Sequence, residues 1–340
     1  MAIVFVILLV FSVLLNFKQM VGRAVTPRMT VYQSHTGGPR LEELVIRDHD
    51  SANKIAVVPV EGVISGDDGE SGNYSMVSLI KGELKRAQQD RHVRAVILKV
   101  NSPGGEVLAS DEIAKAIRQF ESDSGKPVVV SMGNLAASGG YYISAPCSWI
   151  VANELTITGS IGVIMQGYNY RGLMDKVGIK PQVFKSGKFK DMLSSTKEPE
   201  EITPEEKEMV QKLINETYEK FKSVVADGRK AANQKNGVTG KNLTASWAEY
   251  ADGRILSGNE ALKLGFVDEI GDFDVAVDRA KTLAKIASAN LVEYQPIFNF
   301  SSLFGRFFKT EAKPVKIELG LEPPKLHAGY LYFMSPLYLH

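Results

Sequence analysis

The apolar run Val93–Val100 constrains the fold of this chain more than any other feature. It is almost continuously apolar, as is typical of a strand that is buried on both faces of a parallel sheet. Further β-rich runs predict strands at Ile55–Val60, Val128–Met132 and Trp149–Ala152. Apolar residues at helical spacing predict intervening helices at Tyr74–Gln89 and Ser110–Phe120. This alternation predicts βαβ units and an α/β fold with a mainly parallel sheet.

The second half of the chain predicts two more helices. Thr203-Pro204-Glu205-Glu206 has the N-cap Thr, the early Pro and the Glu of a capping box, which predicts the start of a long helix. A second helix, at about Val275–Ala289, is expected to end the compact part. We therefore expect a folded domain at 54–290, a polar linker at 18–53 and a C-terminal tail at 291–340.

The composition argues against several classes of function. The formal net charge of +1 gives no electrostatic basis for binding nucleic acid. Cys147 is the only cysteine, which excludes an internal disulfide and a Cys-rich metal site, and we expect a small buried side chain rather than a thiol nucleophile. The five histidines are scattered without metal-ligand spacing, so we expect neither a metal nor a cofactor.

The N-terminal segment is strongly apolar. Residues 2–15 are apolar except for Ser12, a run shorter than the about 20 residues that span a bilayer. We expect residues 1–17 to be a membrane anchor whose start is trimmed in this sequence, with a signal-peptide segment or a buried core helix as alternatives. By the positive-inside rule, the basic residues that follow would place that side in the cytoplasm: Lys18, Arg23 and Arg28.

Two glycine-rich turns follow predicted strands. Residues 101–105, Asn-Ser-Pro-Gly-Gly, come directly after Val93–Val100, and paired glycines let backbone N–H groups approach a ligand closely. Small residues also flank Ser138, in Ala-Ala-Ser-Gly-Gly. A nucleophilic serine needs such space, and a helix N-terminus beside it stabilises a developing oxyanion. An ordinary tight turn and a helix-capping serine are the structural alternatives.

A base for Ser138 has to be sought among the lysines. No histidine lies in a motif segment, so a Ser-His-Asp arrangement has no support. Burial lowers the pKa of a lysine and can make it a base when a hydroxyl orients it. The segment 186–191 offers Lys188 and Lys190, and the segment 158–162, Thr-Gly-Ser-Ile-Gly, could supply the hydroxyl. Chemistry alone leaves the choice between them open, and a solvated surface charge is the alternative for each.

Several blocks occur in one order along the chain. They are the Asn-Ser-Pro-Gly-Gly turn, Met-Gly-x-x-Ala-Ala-Ser-Gly-Gly-Tyr-Tyr, Thr-Gly-Ser-x-Gly-Val, Lys-Ser-Gly-x-x-Lys-Asp and the Ala-Asp-Gly-Arg pattern from Ala251. Together they resemble the signal peptide peptidase A family, peptidase family S49, of the short bacterial type with a single dyad. The resemblance covers about residues 54–289.

The resemblance implies a role for each matching residue. Ser138 matches the nucleophile, and Lys190, the lysine before Asp191, matches the general base in preference to Lys188. Ser160 matches the hydroxyl that holds the lysine. The oxyanion-hole N–H donors are matched by Gly105 and Gly139.

The resemblance also implies an architecture and a substrate class. The implied fold is the ClpP/crotonase-like α/β type, assembled as a homo-oligomeric ring or dome, an octamer, with inward-facing active sites. The implied substrates are hydrophobic remnants of signal peptides, cut at small or apolar side chains. The catalytic domain is then expected on the extracytoplasmic side of the cytoplasmic membrane, behind a single-pass anchor.

Other functions stay open from the sequence. They are a sibling peptidase that acts on other membrane or envelope proteins, a crotonase-type acyl-CoA enzyme and a non-catalytic membrane scaffold. The apolar stretch Tyr330–Met334 is expected to lie in a peptide groove as a self-substrate, or to pack at a protomer interface.

Overall fold

The protein folds around a mainly parallel sheet. The computed structural model describes residues 38–66, 74–237, 239–297 and 331–334. The strands are β1 (Leu41–Arg47), β2 (Lys54–Glu61), β3 (Val93–Ser102), β4 (Gly104–Glu106), β5 (Val128–Ala137), β6 (Trp149–Ala152), β7 (Ile157–Gly159), β8 (Ile255–Ser257), β9 (Glu269–Ile270), β10 (Asn290–Pro296) and β11 (Tyr332–Met334). The helices are α1 (Met76–Gln89), α2 (Val107–Ser124), α3 (Gly139–Ser144), α4 (Arg171–Lys176), α5 (Pro204–Lys235), α6 (Gly258–Leu264) and α7 (Phe273–Ala284).

The main sheet has the order β1-β10-β2-β3-β5-β6-β9, and β7 pairs with the second half of β5 and with β8. Antiparallel pairing occurs at β1–β10 and β7–β8, and the other neighbours in this sheet are parallel. The α/β prediction with a mainly parallel sheet is therefore confirmed. A second, two-stranded sheet joins β4 to β11.

Both faces of the central strands are covered. One core cluster packs α1, α2 and α3 on the sheet, and a second packs Ala276, Val277 and Ala280 of α7 against the other face. This explains why Val93–Val100 is apolar almost throughout, since such a strand has no solvent-facing side. The capping box also forms as predicted: Thr203 Oγ1 accepts from Glu206 N at 3.2 Å, and Thr203 N donates to Glu206 at 2.9 Å.

The sheet extends past the bounds expected for the folded domain. Strand β1 lies within the expected linker 18–53. Strand β10 starts at Asn290 and runs into the expected tail 291–340, and it lies between β1 and β2 in the sheet. Strand β5 also continues beyond Met132 to Ala137, because its second half gains a new partner in β7. The expected anchor at 1–17 lies outside the described residues. Within the described part of the chain, no helix is long and apolar enough to cross a bilayer.

Candidate active site

Ser138 stands on a strained turn between β5 and α3. Its backbone has φ 53° and ψ −116°, a region that costs a residue other than glycine about 1–3 kcal/mol. Two backbone hydrogen bonds of 2.8 Å hold the turn, from Ser138 N to Gly159 O and from Tyr142 N to Ser138 O. The surrounding structure thus fixes the serine in a conformation that it would not adopt alone.

The Ser138 hydroxyl is buried and has no hydrogen-bond partner. The residue is 1 % exposed, and Oγ is unpartnered among the described residues. Ser138 stands at the N-cap position of α3, but its hydroxyl makes no capping hydrogen bond, so helix capping does not account for this side chain. An unmade hydrogen bond at a buried hydroxyl is unfavourable, and its persistence on a strained turn is typical of a functional group.

The Gly104-Gly105 turn lies directly beside Ser138. A Cβ on Gly139 would meet Gly104 Cα at 3.0 Å and Gly105 N at 3.1 Å, so the two predicted oxyanion donors are neighbours. A Cβ on Gly105 would lie 2.0 Å from Ile64 O, which requires glycine at this position. The structure therefore places the Gly105 backbone beside Gly139, the residue that follows Ser138.

Glu106 holds this turn in place, a role that the sequence analysis missed. Ile64 N donates to Gly104 O and Glu106 N to Ile64 O, each at 2.8 Å. The Glu106 carboxylate then accepts from Gly66 N at 3.0 Å and from Ser65 Oγ at 3.1 Å. The only feature of the sequence that could have indicated this role is a carboxylate side chain directly after the paired glycines.

Ser160 lies on the other side of Ser138. Strand β7 pairs Gly159 with Ala137, which places Ser160 next to the Ser138 turn. Ser160 is 3 % exposed, has φ 51°, and its N–H donates to Arg254 O at 2.7 Å. Its hydroxyl has no hydrogen-bond partner in the described part of the chain, so it is available to a third group.

The two candidate lysines lie on a long exposed segment, which we call the arm (residues 165–197). Lys188 forms an ion pair with Glu205 and lies 4.6 Å above the Phe189 ring. Lys190 is exposed, and no described residue forms a hydrogen bond or ion pair with its ammonium. Because Ser138 Oγ also has no partner, the described chain does not bring Lys190 into hydrogen-bond contact with Ser138.

Ion pairs fix the part of the arm next to Lys190. Lys185 donates to Asp191 at 2.7 Å, and this hydrogen bond lowers the pKa of Asp191 below its usual range. Lys197 lies 3.7 Å from Asp191 and 2.7 Å from Glu206 at the start of α5. These contacts hold the backbone beside Lys190 while its side chain remains free.

The outer surface of the arm is apolar. Helix α4 has no buried residue, and Phe184 is 94 % exposed. Exposures between 50 % and 66 % are found at Tyr168, Tyr170, Leu173, Val177, Ile179, Val183 and Leu193. An apolar patch this dense is unusual on a monomer and is typical of a protein–protein interface.

The C-terminal strand β11 lies against the Gly-Gly turn. Phe333 is opposite Gly105 in an antiparallel pair, and Tyr332 exchanges hydrogen bonds of 3.1 and 3.2 Å with Ile164 on its other edge. The Phe333 side chain is fully buried against Tyr142 and Phe221. Tyr330 lies outside the described residues.

Other nucleophiles and bases are poorly placed. Cys147 is fully buried, and burial raises the pKa of its thiol well above the ordinary value, so it is not a thiolate at neutral pH. Of the described histidines, His92 is half-exposed and bonds to Asp90, and His49 is exposed. No group of three or more His, Cys, Asp or Glu side chains in the described ranges could hold a metal ion.

A family model and several known proteins match this chain. The model "Peptidase family S49" matches residues 121–287, which include Ser138, Ser160 and Lys190. The "Putative signal peptide peptidase SppA" of Enterococcus faecium is 39% identical over 76% of this chain and 72% of that protein. The chain belongs to peptidase family S49. It is therefore a serine peptidase.

Other members of S49 and a distant structure were also found. "Protease 4" of Salmonella typhi is 36% identical over 72% of this chain and 37% of its own length, so this peptidase matches only part of that protein. Among solved structures, a variant of the 1510-N membrane-bound stomatin-specific protease has a TM-score of 0.44 at 17% identity, over 72% of this chain and 98% of that one.

Proposed function

We propose that this S49 peptidase is a Ser-Lys endopeptidase that hydrolyses hydrophobic peptides, in which Ser138 is the nucleophile and Lys190 the general base. The observation that carries the proposal is the buried, unpartnered Ser138 hydroxyl on a strained turn, beside the Gly105 and Gly139 backbones. An activated serine needs a base, and the Ser138 environment leaves a hydrogen-bond position unfilled.

We propose further that Lys190 reaches Ser138 of a second copy of the chain. Three features support this: the unpartnered Ser138 hydroxyl, the unpartnered Lys190 ammonium and the apolar surface of the arm around it. Packing of the arm on a neighbouring protomer would bury apolar surface and desolvate the lysine, which favours its neutral form. Head-to-tail contacts of this kind close into a ring, in line with the expected homo-oligomer.

The mechanism follows from these positions. Neutral Lys190 takes the proton of Ser138 Oγ as the oxygen attacks the peptide carbonyl, while Ser160 holds the lysine. The N–H groups of Gly105 and Gly139 stabilise the oxyanion, and each such donor contributes about 2.7–4 kcal/mol in the transition state. Lys190 then protonates the leaving amine, and the acyl group stays bound to Ser138 Oγ. Lys190 next takes a proton from a water molecule that attacks the acyl carbonyl, and it returns this proton to Ser138 Oγ as the acyl group leaves.

We propose remnant signal peptides in the cytoplasmic membrane as substrates, with the catalytic domain on the extracytoplasmic side. The support is the similarity to a protein described as a signal peptide peptidase and the apolar residues 2–15. A sibling peptidase of other membrane proteins uses the same site, so it differs only in the peptides that are cut.

The C-terminal tail is proposed to occupy the peptide groove as a substrate would. An extended peptide bound to a protease adds a strand to an open edge, and β11 does this at β4. Mass spectrometry of the wild type and of Lys190→Ala tests whether it is cut: a shortened C-terminus in the wild type alone supports self-processing, and identical intact chains contradict it.

Cleavage of a hydrophobic peptide by the wild type, Ser138→Ala and Lys190→Ala tests the function. We expect both variants to lose at least about 10³-fold in kcat. Ser138→Ala should keep its thermal stability, since the hydroxyl that it removes has no partner. Activity of Lys190→Ala at neutral pH would contradict the dyad. Labelling of Ser138 by a fluorophosphonate, without turnover of acyl-CoA esters, separates a peptidase from a crotonase-type enzyme.

A further inference from the structure

One peptide unit links the Ser138 turn to the loop that precedes β8. The oxygen of the Gly159–Ser160 peptide accepts from Ser138 N at 2.8 Å, and its N–H donates to Arg254 O at 2.7 Å. Both residues have positive φ, 75° at Gly159 and 51° at Ser160. Because a peptide unit is planar, a shift of the Arg254 carbonyl moves the whole unit, including the Cα of Ser160. The Ser160 hydroxyl thus depends on Arg254 O for its position.

An ion pair in the same loop fixes the backbone of Arg254. The Asp252 carboxylate accepts three hydrogen bonds from Arg254, from its backbone N at 3.1 Å, from Nε at 2.8 Å and from Nη2 at 2.6 Å. Two parallel bonds from one guanidinium fix its orientation as well as its distance. The side-chain hydrogen bonds from Arg254 lower the pKa of Asp252 to about 2, so this carboxylate is ionised at neutral pH.

The residues around this ion pair leave the loop little freedom. Ala251 is fully buried, and Tyr218 of α5 donates its hydroxyl to the Ala251 carbonyl. Gly253 has φ 91°, a conformation that other residues rarely adopt, and a Cβ on Gly162 would meet Gly253 Cα at 3.3 Å. The Ala-Asp-Gly-Arg block of the sequence therefore forms a tight loop that is attached to α5 at one end and closed by the ion pair at the other.

We propose that Asp252 and Arg254 are positioning residues for the peptidase reaction. Their ion pair holds the Arg254 carbonyl and, through the Gly159–Ser160 peptide, orients the hydroxyl that would hold Lys190. Both side chains of the pair are 49 % exposed, and exposed ion pairs contribute little to stability, so the pair should matter for activity more than for folding. The inference rests on the proposed function and adds to it two residues that act through Ser160.

Two substitutions of Asp252 and a matched control test the inference in the full chain. We expect Asp252→Ala to lower kcat for a hydrophobic peptide by about tenfold, with KM within about twofold and an unchanged Tm. Asp252→Asn keeps an oxygen that can accept from Arg254 N and Nε, so it should retain at least about a third of the wild-type kcat. The control, Asp274→Ala, removes an Arg–Asp pair of similar exposure between β1 and α7 and should leave kcat unchanged.

A second pair of variants tests whether Asp252 acts through Ser160. The Ser138 turn keeps its β5–β7 pairing and the hydrogen bond from Tyr142 N, so the effect should fall on Ser160. In a Ser160→Ala background we expect Asp252→Ala to slow the labelling of Ser138 by a fluorophosphonate less than about twofold, against about tenfold in the wild-type background. Labelling can be followed for hours, so slow variants remain measurable. An equal factor in the two backgrounds overturns the inference.

The remaining outcomes separate the inference from the proposed function. Cleavage and labelling of Asp252→Ala at the wild-type rate overturn the positioning role and leave the peptidase intact. Cleavage by Ser138→Ala as fast as by the wild type overturns the proposed function itself. Should Asp252→Ala not fold, Arg254→Lys decides, since it keeps the charge but cannot form the two parallel bonds. It must slow labelling at least about threefold, and labelling at the wild-type rate contradicts the role.

Discussion

The Ser138 turn and the Lys190 arm carry the two halves of one proposed catalytic pair, yet their surroundings are opposites. Ser138, Gly139 and Gly105 are buried, in contact with one another and held by backbone hydrogen bonds of the sheet. Lys190 lies on a segment whose large apolar side chains face solvent. The described residues thus preorganise the proposed nucleophile and oxyanion hole, whereas the proposed base needs a further surface to complete its site. We therefore expect substitutions at the Ser138 turn to lower kcat, and substitutions on the arm to impair assembly.

Among substitutions outside the proposed dyad, Gly105→Ala is expected to have the largest effect. The added Cβ would lie 2.0 Å from Ile64 O, so β4 must move and the N–H donor with it. We expect kcat to fall at least about 10²-fold, as for the loss of an oxyanion donor. The matched control is Gly172→Ala in the arm, where a Cβ meets nothing within 4 Å. Equal activity of Gly105→Ala and Gly172→Ala would contradict the expected difference between the Ser138 turn and the arm.

Leu173→Asp should act on assembly rather than on folding. Leu173 is 61 % exposed on α4, so a charge there does not disturb the core of the protomer. It would lie in the proposed interface, and we expect loss of the oligomer in sedimentation and a fall in peptide cleavage of at least about tenfold. Leu213→Asp, 46 % exposed on α5 and away from the arm, is the control. An arm variant that stays assembled and active would remove the reason to invoke a second copy.

The free energy of unfolding should depend on pH through Glu83, a buried side chain of α1. Burial, and then the nearby Glu293 carboxylate, raises the pKa of Glu83 from its ordinary value of 4.5 to about 8. Between these values the folded state binds more protons than the unfolded chain, so the free energy of unfolding decreases as pH rises. The contribution is complete below about pH 4.5 and is lost through pH 8.

Glu83→Gln is expected to flatten this dependence. We expect denaturant titrations to show a gain of about 3–4 kcal/mol at pH 8 relative to pH 5, a pKa unit being worth about 1.4 kcal/mol. Glu216→Gln, an exposed change on α5, should leave the wild-type slope. A slope unchanged by Glu83→Gln would show that Glu83 is ionised in the folded protein.

Asp191→Asn should have the smallest effect. Asp191 is held by partly buried ion pairs with Lys185 and Lys197 on the arm, and ion pairs near a protein surface contribute little to stability. We expect no measurable change in Tm and a few-fold lower kcat, because the backbone beside Lys190 is held less firmly. A large fall in Tm would mean that the arm is part of the folding core.

Sequence patterns predicted the parts of the fold that depend on local signals. Val93–Val100 and the capping box at Thr203 are such signals, and both elements formed as predicted. The second half of β5 was missed because Gly133 to Ala137 lack β-branched residues, and its strand character comes from pairing with β7. Strands β1 and β10 were missed for a similar reason, since each is defined by the other across the chain.

The same difference between local and long-range signals applies to the candidate site. Small residues around Ser138 were visible in the sequence because the crowding that they relieve is local. Lys190 could be chosen over Lys188 only through the family resemblance. The residues that the structure describes leave its side chain exposed. The packing of Phe333 against Tyr142 and Phe221 was not predicted, since the three rings come from segments far apart in sequence.

Co-expression of Ser138→Ala and Lys190→Ala protomers, carrying different affinity tags, tests most directly whether the dyad is shared between copies. Mixed oligomers isolated through both tags should regain about a quarter of the wild-type activity, because about a quarter of head-to-tail contacts pair an intact serine with an intact lysine. Each variant alone should stay inactive. Mixed oligomers with no more activity than the separate variants would contradict the account, since a dyad within one chain cannot be restored in this way.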